Sequence, residues 1–149
     1  MFEAGSRVTG NVLVSVDGEF AAEKVTLRLK GFERAQYEDP NPLKLSAVQG
    51  AEAKTAALKK TSEVIIDLEY TLAEFGPEDP PVKGFHKFPF DLHIPAHLPG
   101  SVMVQEGVNN LSVTYYLSAQ MAPVSAELFA DAERTNSLLR TERAIFIHK

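Results

Sequence analysis

A chain of 149 residues can bury one hydrophobic core without a disulfide or metal staple, so a single domain spanning 1–149 is expected. Cysteine is absent, which excludes disulfides, zinc thiolate sites and thiol nucleophiles and fits a reducing, cytosolic setting. The net charge of -5, spread along the chain, disfavours nucleic acid as a ligand, and neither an apolar run of about 18 residues nor a basic-then-apolar leader marks a membrane span or signal peptide.

The first element is Arg7 to Val16, where Val8, Val12, Val14 and Val16 share one parity and Thr9, Asn11 and Ser15 the other, with Leu13 as the exception. This alternation predicts a half-buried strand. Asp17 and Gly18 supply turn chemistry, and Lys24 to Phe32 repeats the pattern with Val25, Leu27 and Leu29 inward and Thr26, Arg28 and Lys30 outward. From Glu33 to Lys60 the alternation stops, and Asp39-Pro40 and Asn41-Pro42 predict a long surface loop. Its alanine-rich part, Ala47 to Leu58, has the propensity for a short helix, although Gly50 interrupts it.

Ser62 to Leu72 alternates most cleanly, placing Val64, Ile66, Leu68, Tyr70 and Leu72 on one face and Glu63, Asp67, Glu69 and Thr71 on the other. Gly76 to Lys83 holds Pro77, Pro80 and Pro81 and is expected to be a turn or edge, because proline has no ladder donor. Phe88, Phe90, Leu92 and Ile94 then form an inward row, and Pro89 on the outer parity implies an edge or a bulge. Leu111 to Met121 and Thr141 to Lys149 read as two more strands; Ser125 to Leu139, between them, reads as a short helix or a loop. At least six strands without regularly alternating helices predict an all-β, antiparallel, immunoglobulin-like sandwich.

Two stretches carry a family resemblance. The first is FEAGSRVTGNVLVSV followed by EKVTLRLKGFE, and the second, more specific, is GFHKFPFDLHIPAHLPGSV with VTYYLSAQ downstream. Together they resemble the N-terminal lobe of arrestins in the broad sense, including the arrestin-domain-containing proteins and the arrestin-fold subunit of retromer. Arg143 to His148 falls where that family has the strand closing its N-terminal lobe. The resemblance implies an arrestin-type sandwich that binds proteins, catalyses nothing and needs no cofactor. It further implies an adaptor or scaffold role in membrane-protein trafficking or signalling. Receptor or transporter tails and sorting machinery would be the partners, at cytoplasmic sites on endosomes or the plasma membrane, with only indirect membrane association.

Three departures from the family pattern qualify what is implied. Family members usually open with a strand ahead of the aromatic and glycine turn, whereas only Met1 precedes Phe2 here. A bare sheet edge, and through it a strand-exchanged dimer, is therefore expected. A second lobe usually follows the first, so the chain is expected to be one lobe of a longer protein. Pro80 and Pro81 are followed by Val82 and Lys83 and not by a PPxY pattern, so any ubiquitin ligase would be recruited through other regions. Within the fold the alternatives are a retromer-type subunit or a microbial arrestin-like regulator. From another class, the alternative is a secreted carbohydrate-binding or hydrolytic sandwich.

His86, His93, His97 and His148 suggest a metal, but Pro95 forbids helical presentation of His93 and His97, and strand parity sends His86 and His93 to opposite faces, so no metal site is expected. Ser101 follows Pro99-Gly100 without a GxSxG elbow and reads as turn chemistry. Asp67 and Glu69, about 7 Å apart on an outward strand face, read as solvation before glycoside chemistry. Gly10, Gly31, Gly84 and Gly100 lack phosphate-loop spacing and read as close approaches or turns, and Asn110-Leu111-Ser112 matches a glycosylation acceptor that has meaning only on secretion. Arg28 and Lys30, sharing the outer face of the second strand, are the candidate partner-binding residues for acidic or phosphorylated tails, and the charged 33–60 stretch is a second candidate surface.

Overall fold

The computed structural model describes residues 1–17, 22–38, 58–76, 78–123 and 140–149, and these form nine strands with no helix. The first two are β1 (Phe2–Glu3) and β2 (Arg7–Val16), and β3 (Ala22–Glu38) and β4 (Leu58–Glu74) follow. Next come β5 (Gly84–His93), β6 (Val102–Glu106) and β7 (Asn109–Pro123), and the last two are β8 (Arg140–Ile145) and β9 (Ile147–His148).

The largest sheet runs β4-β3-β7-β6, with β8 pairing the second half of β7 beside β6; a second is the β2-β5 pair, both antiparallel, and a third is the short parallel β1-β9 pair. The inner faces of the first two meet in one core: Val8 and Val12 from β2, Leu92 from β5, Val25, Leu27 and Leu29 from β3, and Tyr115, Ala119 and Met121 from β7. Burying each such aliphatic side chain is worth about 1.5–3 kcal/mol. The expected all-β sandwich is the observed one.

The strand boundaries correct the sequence reading at four places. Alternation was expected to end at Phe32, yet β3 continues to Glu38 and β4 begins at Leu58, so both ends of the predicted 33–60 loop are strand. Polar side chains there tolerate a strand because that part of the β3-β4 ladder is exposed, and exposure removes the apolar signal. Most of the Ala47 to Leu58 helix, and all of the Ser125 to Leu139 helix or loop, lie outside the described residues. β6 was not foreseen, although Gly107, with φ +60°, opens a two-residue turn between Glu106 and Asn109 of the kind that favours glycine at its first position. The expected single strand over Thr141 to Lys149 is two strands broken at Phe146: β8 belongs to the large sheet, while β9 pairs in parallel with β1.

The fourth correction concerns parity on β4. The β3-β4 ladder shifts register between Gly31 and Phe32, where Gly31 faces Ile66 but Phe32 faces Val64. Ile65 is the extra residue of a bulge, so Val64 turns to the outer face and is 53% exposed. Pro89 sits in the edge strand β5, as its missing donor requires, and the described residues from Gly76 to Lys83 stay outside strands.

Candidate functional site

The motif residues build the closed end of the sandwich. Gly10 faces Phe90 across the β2-β5 ladder, and a Cβ there would lie 2.5 Å from the phenyl ring; Gly31 faces Tyr115, and a Cβ would lie 2.6 Å from its ring and 2.8 Å from Ile66. Each glycine is the space into which an aromatic ring folds. The Tyr115 hydroxyl donates to the Pro99 carbonyl at 2.6 Å, and burial raises its pKa to about 12. Ser101 holds the closing strand at both backbone groups: its N–H donates to the Ile147 carbonyl at 2.6 Å, and its Oγ accepts the Ile147 N–H at 3.0 Å. Ser101 is therefore a clasp on the closing strand, where turn chemistry was expected.

The histidines are dispersed. His86 stacks on Phe88 and its Nε2 contacts the Val82 carbonyl at 2.5 Å, while His93 pairs with Arg7 in the β2-β5 ladder. No group of three potential metal ligands occurs among the described residues.

Arg28 and Lys30 both stand on the outer face of β3, where alternation put them. Arg28 grips Asp67 of β4 through two 2.5 Å hydrogen bonds, from Nε and from a terminal nitrogen, and Lys30 Nζ lies 3.9 Å from the same carboxylate. The Arg28 guanidinium holds the Asp67 carboxyl below its ordinary range, and Asp67 in turn raises Arg28. Asp67 is thus the charge partner of both Arg28 and Lys30.

The same face carries a feature that the sequence reading missed. Phe32 lies between two cations, with Lys30 Nζ 5.0 Å and the Arg34 guanidinium carbon 4.8 Å from its ring centroid, and Tyr116 meets its edge at 6.2 Å. Arg34 makes no ion pair among the described residues. Its signal was the unbroken alternation Arg28, Lys30, Phe32, Arg34, lost because the strand was ended at Phe32.

A second concave feature opens on the flank. Between β2 and β8 lies a cleft of about 220 Å³ floored by Val12, Val14, Val25, Ala119 and Met121 and rimmed by Arg140 and Thr141. The chemistry available at these surfaces is charge pairing, cation–π contact and strand pairing.

An antiparallel sandwich with glycine-seated aromatics and a clasped closing strand, without helix among the described residues, is an immunoglobulin-like lobe of the arrestin N-terminal type. Residues 1–137 match the family described as Arrestin (or S-antigen), N-terminal domain, and the chain belongs to that family. Domains of this family are generally adaptors or regulators that bind proteins and are typically non-catalytic. Among solved structures the chain is similar to Spo0M, a sporulation control protein from Bacillus subtilis, with 14% identity and a TM-score of 0.47, over 99% of this chain and 45% of that one. It thus spans less than half the length of that protein. No curated protein sequence matches it.

Proposed function

We propose that this lobe is a non-catalytic adaptor or scaffold domain in membrane-protein trafficking or signalling, and that it takes acidic or phosphorylated tails of receptors or transporters on the outer face of β3. The observation that supports this reading is the Lys30–Phe32–Arg34 row: two cations held over one ring, with Arg34 unpaired among the described residues. A guanidinium held over an aromatic ring by cation–π contact still has N–H donors to offer a carboxylate or phosphate, and less side-chain entropy is lost on binding. Arg28, taken by Asp67, is a reserve cation. The partners are receptor or transporter tails and sorting machinery at cytoplasmic membrane surfaces, and a ubiquitin ligase would be recruited through other parts of the protein.

Proximity labelling with the full parent chain in its own cells tests the reading. Enrichment of transporters, receptors or coat components, reduced by Lys30→Glu with Arg34→Glu, is the expected result. No enrichment of membrane proteins, together with retention on glycans, would replace it with the secreted-module alternative.

A further inference from the structure

We infer that the outer face of the β2-β5 sheet, where β2 ends and β5 begins, seats directly on an anionic lipid bilayer. Leu13, Val82 and Phe85 enter the boundary between headgroups and acyl chains, and Lys83 and Lys87 meet the lipid charge. The inference goes beyond the proposed function, which assigns acidic tails to the outer face of β3, and beyond the family resemblance, which implies only indirect membrane association.

Register assembles the patch. Leu13 pairs with Lys87, and Ser15 with Phe85. Cross-strand partners point to the same side of a sheet, as do residues two apart on one strand, so Leu13, Phe85 and Lys87 stand together on the side opposite the buried Val12. Leu13 is the residue that breaks the alternation of β2, and its side chain has no core to fill. It is 67% exposed, Val82 is 69% exposed and Phe85 is 85% exposed. His86 Nε2 contacts the Val82 carbonyl at 2.5 Å, which holds Val82 at the start of β5.

Charge selects the occupant. The chain carries -5 overall, yet between Pro80 and Pro89 its formal charges are Lys83 and Lys87 alone, and between Asn11 and Val16 there is none. Both lysines are exposed, and neither makes an ion pair among the described residues. The nearest acids along the chain, Asp17, Glu78 and Asp79, are exposed and lie beyond the ends of these two segments. The far end of the same face is neutralised, because Arg7 donates to both carboxylate oxygens of Asp91 at 3.0 and 2.6 Å. A basic, apolar half beside a neutral half orients the face on a negative surface. The mixture of lysine with protruding apolar groups also favours a bilayer over a protein. Protein interfaces are depleted in lysine, whereas at a bilayer the lysine stem lies along apolar groups while its ammonium stays among the headgroups.

Cosedimentation of the full chain with phosphatidylcholine vesicles, with and without phosphatidylserine, tests the surface. Binding is expected only with phosphatidylserine and should weaken as salt rises. Lys83→Gln with Lys87→Gln should weaken it about 25-fold, from roughly fivefold for each charge removed, and Phe85→Ser should weaken it about tenfold. These positions are exposed, so the spectrum of the folded lobe should not change. The chain has no tryptophan, so Phe85→Trp supplies a single reporter, whose emission should shift to the blue and be quenched by brominated acyl chains. No binding, binding that survives these substitutions, a reporter that stays in water, or self-association of the chain through the patch would each overturn the proposal. So would equally tight binding of soluble glycerophosphoserine, which would mean a headgroup or phosphopeptide site without insertion. Loss of vesicle binding through Lys30→Glu with Arg34→Glu alone would overturn it too, by moving the contact to β3. The vesicles hold no protein, so every one of these outcomes leaves the tail-binding reading to its own test.

Discussion

The two ends of the β7-β8 ladder have opposite fates. At one end Tyr115, paired with Ile145, is fully buried and its hydroxyl is tied to Pro99; a few residues along, the core-side positions Arg143 and Thr141 are exposed. The ladder is continuous, so the difference lies in the cover. Among the described residues the second sheet has two strands, and the β1-β9 pair with the Leu98–Ser101 segment covers the Tyr115 end. Strand parity thus decides which side a residue faces, and the width of the opposing sheet decides whether that side is dry.

The sharpest way to break this contrast is to truncate one residue at each end. Tyr115→Ala removes a fully buried ring from its seat on Gly31 and should cost about 3–5 kcal/mol, whereas Thr141→Ala should stay within about 0.5 kcal/mol. Urea unfolding of the two variants measures the difference, and similar losses would mean that the flank is as well packed as the closed end.

A milder probe is pH. The Tyr115 pKa lies at about 12, above its ordinary 10.0, so the folded state keeps a proton that the unfolded chain releases. The associated stability is fully present below pH 10.0 and is lost as pH rises towards about 12. Tyr115→Phe should lose about 1 kcal/mol at neutral pH, from the hydrogen bond to Pro99, and should show a shallower alkaline decline than the parent. Parallel declines would place the alkaline sensitivity elsewhere.

These residues also mark how far the sequence could be read. The inward rows of β2, β3, β5 and β7 were legible because one face is dry and the side-chain period is two. Val64 was misplaced because the Ile65 bulge reverses parity without leaving a compositional trace, and β6 was passed over because all five of its residues are exposed, so no apolar alternation marks it. Gly31 and Tyr115 were recognisable as parts of family-like motifs, but their contact joins residues far apart in sequence and exists only in the fold. Of the candidate site, Arg28 and Lys30 were placed on the correct face. The capture of Arg28 by Asp67 depends on β3-β4 register, which alternation alone does not give.

The smallest effect should come from that capture, and it bears most directly on function. Asp67 is held below its ordinary 3.8 mainly by its hydrogen bonds to Arg28, so its contribution to stability is present above that value and fades as pH falls through the depressed range. The pair is exposed, so Asp67→Asn should cost less than about 1 kcal/mol, and a difference that small should vanish in molar salt. The same substitution takes the charge partner from both Arg28 and Lys30. If the outer face of β3 receives acidic tails, Asp67→Asn should bind an acidic or phosphorylated tail peptide more tightly than the parent while being slightly less stable. If both properties fall together, Asp67 organises the face for binding instead of competing with the ligand for its cations.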